Sequence, residues 1–243
     1  MSGRLGDIWV YLAASPLLGL TMTLLVYQGA VWLSRRCNNH PLANPVLIAV
    51  AALVALLSIT NTPYQKYFDG AQFVHFLLGP ATVALAIPLY AQFGRLKRML
   101  APLLIALLAG SVTAAASAVI VGRLLGASDA TLYSLAPKSV TTPIAMGIAE
   151  QVGGLPSLTA VLVILTGILG AVGAQALYAL LRIEDPAVRG FALGVASHGI
   201  GTARAFQLGE QTGAFSALAM GLNGLLTAVL LPVALPTLMR LLG

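Results

Sequence analysis

Apolar residues in this chain come in long unbroken runs, not in the alternating or three-to-four-residue patterns of elements with one wet face. Six stretches contain no Asp, Glu, Lys or Arg: Ile8–Ser34, Cys37–Gln65, Gly70–Gly94, Met99–Gly122, Gln151–Leu181 and Gln211–Met239, each at least 24 residues long. A helix rises about 1.5 Å per residue and needs about 20 residues to cross a hydrocarbon core of about 30 Å. The pattern predicts an all-α polytopic membrane protein with about six long transmembrane helices. A transmembrane β-barrel would instead show short segments of alternating polarity, and the sequence has none. Two further charge-free windows, Ser139–Ala149 and Gly190–Ala203, have only 11 and 14 residues and are rich in Pro, Gly, Ser, Thr and His. They predict short discontinuous or re-entrant helical segments.

These two windows are similar to one another. At a shift of 60 residues, Lys138–Gly154 and His198–Ala214 share five of 17 positions: Thr142/Thr202, Ala145/Ala205, Glu150/Glu210, Gln151/Gln211 and Gly153/Gly213. A weaker echo stands earlier, where Gly79–Val83 matches Ala136–Val140 at a shift of 57. Repeats flanking broken helices are a signature of secondary transporters, and an inverted repeat is the expected arrangement. With no linker or low-complexity tract, the chain reads as one transmembrane domain over 1–243. Within it, 1–65 form scaffold-like helices and 66–128, 129–185 and 186–243 form repeat-like units.

Composition narrows the class. Only 8% of residues are charged and 58% are hydrophobic, whereas a soluble domain carries about 25% charge. The net charge of +6 does not point to nucleic acid, because the basic residues stand in ones, twos and threes at the ends of apolar runs, as topology-setting charges do. Arg35–Arg36 and the Arg95, Lys97, Arg98 cluster are the strongest of these and belong on the cytoplasmic side, which puts the N-terminus outside. The run after Arg4 and Asp7 is too long for a cleaved signal and is kept as a membrane helix. The single cysteine, Cys37, allows no intramolecular disulfide.

The candidate chemistry lies in the two windows. Pro137 and Pro143 break the first, Thr142–Pro143 has the form of a helix cap and first position, and Gly153–Gly154 suit a C-terminal cap. A short helix from about Pro143 to Gln151 would direct free N–H groups and a partial positive charge at an anion, with Lys138, Ser139, Thr141 and Thr142 just upstream. The second window offers Gly199 and Gly201 for close backbone approach, Thr202 as a cap, and His198 and Arg204 as donors. Ionisable groups at membrane depth are costly, so Lys138, Arg204, Glu150 and Glu210 are functional candidates if buried; the glutamates are candidate sites for a coupling ion, H⁺ or Na⁺. The alternative is that all four lie at the interface and reach water. Asn223 is either interhelical glue or a site wall. No H-x-x-x-H, H-E-x-x-H, G-x-S-x-G or GK[ST] occurs, so no metal, cofactor or enzymatic role is expected. The glycines of Gly167–Gly173 read as close helix packing.

Three strings, YQKYFDGAQFVHFLLGPATVALAIPLY, SLAPKSVTTPIAM and RGFALGVASHGIGTARAFQLGEQTGAFSALAMGLNG, resemble the LrgB/CidB family of bacterial membrane proteins. They also resemble the C-terminal domain of the plastidal glycolate/glycerate translocator. The resemblance implies a multi-pass protein of the bacterial cytoplasmic (inner) membrane, a homo-oligomer, often with a small LrgA/CidA-type membrane partner. It implies two functions: transport of small monocarboxylates such as glycolate, glycerate or pyruvate, and antiholin-like control of murein hydrolases and lysis. The residues favour the carrier, with the half-helix starts at Thr142–Pro143 and Gly201–Thr202 meeting near the bilayer midplane. That geometry requires the windows to be re-entrant from opposite faces. If both cross fully it fails, and sequence leaves both arrangements open.

Overall fold

A computed structural model describes residues 16–40 and 43–241; the N-terminal Arg4 and Asp7 lie outside them. All regular structure among the described residues is helical, and five stretches are long and apolar enough to cross a membrane. The protein is an all-α, multi-pass membrane protein. Its fold divides into two compact units at Ala84.

In the first unit, α1 (Pro16–Arg36), α2 (Pro45–Ile59), α3 (Tyr64–Phe76) and α4 (Leu78–Ala84) follow in order. Gly19 lets α1 approach the backbone of α3, since a Cβ there would lie 2.4 Å from the Tyr67 carbonyl oxygen. Thr23 Oγ1 and the Tyr67 hydroxyl share a 2.8 Å hydrogen bond beside it. The second apolar run is shorter as a helix than as a pattern: α2 has 15 residues, about 22 Å. Asn44 sets its start by accepting from the Val46 and Leu47 amides, with Pro45 at the first helical position.

The second unit contains α5 (Ala86–Ala91), α6 (Phe93–Leu124), α7 (Asp129–Leu135), α8 (Thr142–Val152), α9 (Pro156–Leu180), α10 (Pro186–Leu208) and α11 (Glu210–Leu241). Ion pairs mark its two ends: Arg95 with Asp185 and Arg123 with Asp129, each 2.7 Å. α6 and α11 run in the same direction between them. Leu103 and Leu107 cluster with Phe215 and Ala219 near the first end, and Val119 clusters with Leu231 and Leu235 toward the second. α9 runs the other way, starting beside Ser134 and finishing where the Tyr178 hydroxyl donates to the Arg189 carbonyl.

The segments between the long helices turn back rather than cross. α7 and α8 form the first hairpin. Ser134, near the end of α7, accepts from the Leu155 amide just after α8 and meets Thr159 through its carbonyl. The intervening Ser139 lies against Asn223, deep in α11. α10 is the second hairpin, broken where Ser197 (φ −132°, ψ 16°) and His198 (φ 41°, ψ −133°) leave helical geometry. In a straight helix Leu193 and Gly201 would be about 12 Å apart, yet a Cβ at Gly201 would lie 2.9 Å from the Leu193 carbonyl oxygen. Ala205 packs with Leu193, Ala174 and Tyr178, so the second arm returns toward the end from which the first arm entered. The two hairpins thus enter from opposite ends, each following a long helix of opposite direction, which is an inverted repeat.

The first arm of α10 lies directly on α11, and glycine makes the approach possible. A Cβ at Gly190 or Gly194 would stand 2.1 Å from the Thr212 or 2.2 Å from the Ser216 carbonyl oxygen. Gly190→Ala and Gly194→Ala should each cost about 1 to 3 kcal/mol by forcing these helices apart. Gly173→Ala, with nothing within 4 Å of the added carbon, should instead gain about 0.5 to 1 kcal/mol of helix propensity. Thermal unfolding in detergent checks this: the midpoint falls for the first two variants and holds or rises for the third.

Candidate functional site

The tip of the first hairpin is the 136–141 connection. Pro137 is fully buried in it, and α8 begins immediately after, with Thr141 as its N-cap in extended conformation (φ −64°, ψ 147°). The cap is thus one residue earlier than the Thr142–Pro143 pairing read from sequence. The Thr141 side chain makes no cap bond to the first turn of α8, whose positive end faces the tip. At the other end of α8 Gly153 adopts φ 91°, the left-handed cap that its sequence position predicts. Lys138 is half-buried at the tip. Its ammonium touches the Ser139 hydroxyl at 3.4 Å, and no carboxylate pairs with it among the described residues.

At the second tip, the break falls at Ser197–His198, not at Gly201–Thr202. His198 is 4% exposed, and its Nε2 lies 3.0 Å from the Val163 carbonyl oxygen of α9. The Ser197 hydroxyl is buried without a hydrogen-bond partner among the described residues. Both side chains fit because α9 carries glycine opposite them: a Cβ at Gly170 would overlap Ser197 Oγ, and one at Gly167 would lie 2.8 Å from His198 Cε1. Thr202 stands one turn inside the returning arm. Its hydroxyl donates back to the His198 carbonyl at 2.8 Å and shares a 2.9 Å bond with Ser216. Gly201 packs against Leu193 and Ser197, whereas Gly199 is open apart from Met220 Sδ at 3.8 Å.

One side chain joins the tips. Asn223 is 1% exposed; its Nδ2 donates to the Ser139 carbonyl at 3.3 Å and to the Val195 carbonyl at 3.0 Å. Its Oδ1 accepts from Ser111 Oγ of α6 and, at 3.4 Å, from Thr227 Oγ1. Both amide protons and the oxygen are therefore engaged within the protein, and Asn223 acts as glue between both hairpins, α6 and α11. Lys138, beside Ser139, and His198 stand on the two tips that Asn223 joins. The structure thus brings together Lys138, Ser139, His198 and Asn223, with the Thr141–Thr142 and Gly199 helix starts beside them.

Other sequence candidates lie elsewhere. Arg204 is buried on the returning arm, donating to Gln207 at 2.7 Å and to Gln175 of α9 at 3.4 Å, away from the tips. Glu150, in the last turns of α8, and Glu210, the first residue of α11, are exposed. Sequence alone does not single out Ser111, Ser216 or the Val163 carbonyl. Ser111 and Ser216 carried a weak signal as polar residues within apolar runs, and the carbonyl carried none.

Residues 23–237 match the LrgB-like family. The chain belongs to that family. It is 38% identical over 219 residues to the uncharacterized protein YwbG of Bacillus subtilis (strain 168), covering 90% of this chain and 97% of that one. It is 32% identical over 223 residues to proteins named antiholin-like protein LrgB from Bacillus mycoides (strain KBAB4) and Bacillus cereus (strain B4264), covering 91% of this chain and 96% of each. No solved structure matches. The family match runs from α1 into α11 and so contains both hairpins.

Removing the clasp tests whether the two tips depend on it. Asn223→Ala takes the amide donor from the buried Ser139 and Val195 carbonyls, at about 1 to 3 kcal/mol for each group left unsatisfied. Asn223→Asp keeps the size but sets oxygens against those carbonyls and should be equally damaging. Hydrogen exchange of the 136–141 and 195–199 amides should accelerate in both variants, with a lower unfolding midpoint. Unchanged exchange at both tips would show that the clasp is dispensable.

Proposed function

We propose that this LrgB-like protein is a carrier for small monocarboxylates such as glycolate, glycerate or pyruvate, bound where the two hairpin tips meet. The observation supporting this reading is the half-buried Lys138 ammonium at the joined tips, without a carboxylate partner. An ionised group at membrane depth is expensive unless something compensates it. Both half-helices that start at the tips, α8 and the returning arm of α10, add positive dipole ends. Such a place favours an anion, and a carboxylate would accept from Lys138, from the α8 amides and from the Ser139 and Thr141 hydroxyls. Arg204 supplies a second cation along the returning arm. The more basic end of the second unit, with Arg95, Lys97, Arg98, Arg182 and Arg189, would face the cytoplasm, the protein residing in a bacterial cytoplasmic membrane. The first hairpin would then open to the outside and the second to the inside, the arrangement that alternating access uses.

A second reading has its own support. Relatives sharing nearly the full length of this chain carry the name antiholin-like protein LrgB, and those names favour an antiholin-like regulator, for which the family resemblance implies a small LrgA-type membrane partner. Purified protein in liposomes separates the two. Saturable uptake of labelled glycolate, glycerate or pyruvate supports the carrier; dye leakage without saturation, or activity only with an added partner, supports the regulator.

For the carrier, Lys138→Ala should leave the substrate carboxylate unpaired, a loss of about 2 to 5 kcal/mol, or about 30-fold or more in uptake, with insertion and unfolding midpoint unchanged. Wild-type uptake by this variant would remove Lys138 from the site. Glu150→Gln and Glu210→Gln, exposed at the helix ends, should transport normally.

A further inference from the structure

We infer that His198 is the proton-coupling group of this carrier, binding one proton with each carboxylate; the inference rests on the carrier reading. Three observations at the second tip support it. First, a histidine occupies a backbone position at φ 41°, ψ −133°, a conformation that strains a side-chain-bearing residue and that glycine adopts freely. Glycine stands at the very next position, Gly199, so what the site gains from residue 198 is its imidazole. Second, the ring's Nε2 faces a carbonyl, that of Val163, which only accepts. The neutral ring is therefore protonated on Nε2 and leaves Nδ1 as its basic nitrogen, which takes no hydrogen bond from the described residues.

Third, the surroundings leave few other groups to carry the proton. The first hairpin carries Lys138, next to Ser139, on the tip that Asn223 joins to the tip of His198. α9 has Tyr178 as its ionisable side chain, bonded to the Arg189 carbonyl at the far end. α6 has no ionisable residue between Arg98 and Arg123, and α11 has none between Glu210 and Arg240. On its own hairpin the neighbours are Arg189 near the start and Arg204, held by Gln207 and Gln175. Among the described residues no carboxylate pairs with Lys138 or bonds His198.

Charge accounting then fits one-to-one coupling. With Lys138 charged and His198 neutral the empty tip carries +1. With a carboxylate on Lys138 and a proton on His198 Nδ1 it again carries +1, so the empty and loaded sites present the same net charge to the low-dielectric interior. Binding the pair therefore adds no net charge to the tips, whereas binding the proton alone would add a second cation to the one on Lys138.

Reconstituted wild type and His198→Gln distinguish the outcomes; glutamine still donates to the Val163 carbonyl but binds no proton near neutral pH. An inward gradient of one pH unit is worth about 1.4 kcal/mol and should drive about tenfold accumulation of labelled glycolate by the wild type, with acidification of an internal dye when glycolate is added. His198→Gln should keep counterflow of labelled against unlabelled glycolate at equal pH, yet lose both accumulation and acidification. His198→Gly, which suits the backbone, should behave the same way and serves if the glutamine variant does not reconstitute. Gradient-driven accumulation by either variant, or wild-type counterflow that ignores the proton gradient, overturns the role of His198 and leaves the carrier standing. Absence of both counterflow and uptake in the wild type overturns the carrier reading itself, and this inference with it.

Discussion

A helix that breaks inside a membrane frees backbone donors and acceptors with no water to satisfy them, at several kcal/mol for each group left unpaired in hydrocarbon. Every feature of the second unit follows from meeting that cost twice. Asn223 satisfies a carbonyl from each broken segment with one amide group, and Ser111 and Thr227 hold the amide from the other side. Thr202 satisfies the carbonyl of the break residue itself, and His198 reaches across to Val163. Because a single buried asparagine serves both tips, the tips are obliged to share one place.

That place exists only because neighbouring helices give up side-chain volume. Gly167 and Gly170 form the recess on α9 that receives His198 and Ser197, and Gly190 and Gly194 let the first arm of α10 lie on the backbone of α11. In a membrane, helix association gains little from apolar burial and much from close packing, so glycine here substitutes for the bulky core of a soluble protein. The hairpin arms are then held by backbone proximity, and their tips combine buried Ala136, Pro137 and Val140 with hydroxyls, carbonyls, an imidazole and an ammonium.

The sequence made the membrane class, most of the spans and the two broken segments legible, because charge-free length and clustered Pro and Gly respond directly to bilayer thickness and backbone geometry. The short helix of the first window was read almost residue for residue: Pro143 to Gln151 expected, Thr142–Val152 found, with Gly153 closing it. The sequence points to Gly201–Thr202 as the second helix start because Thr202 has the form of a cap and the glycines beside it allow close backbone approach. Gly201 proved to be a contact, packed on Leu193, while the kink fell on Ser197 and His198, residues without helix-breaking character. The run Cys37–Gln65 suggested a full span, but Asn44 and the turn through Asn61, at φ 47°, confine the helix to 15 residues. The fourfold role of Asn223 was illegible in principle, since two of its partners are main-chain carbonyls that tertiary folding brings to it.

The inverted repeat also decides what the tips present to each side. Each returning half-helix starts at the tip and ends at its own face, so the positive dipole ends of α8 and of the returning arm of α10 converge while their negative ends point outward in opposite directions. The exposed carboxylates follow the same division, with Glu150 late in α8 and Glu210 at the end where the second hairpin closes. An anion drawn toward the tips therefore meets rising positive potential from either direction. On the carrier reading, neither side needs its own binding site. A small movement of one hairpin or the other, hinged where Asn223 holds both, is enough to choose which face the shared site opens to, and the equivalence of the two hairpins makes the two openings comparable in cost.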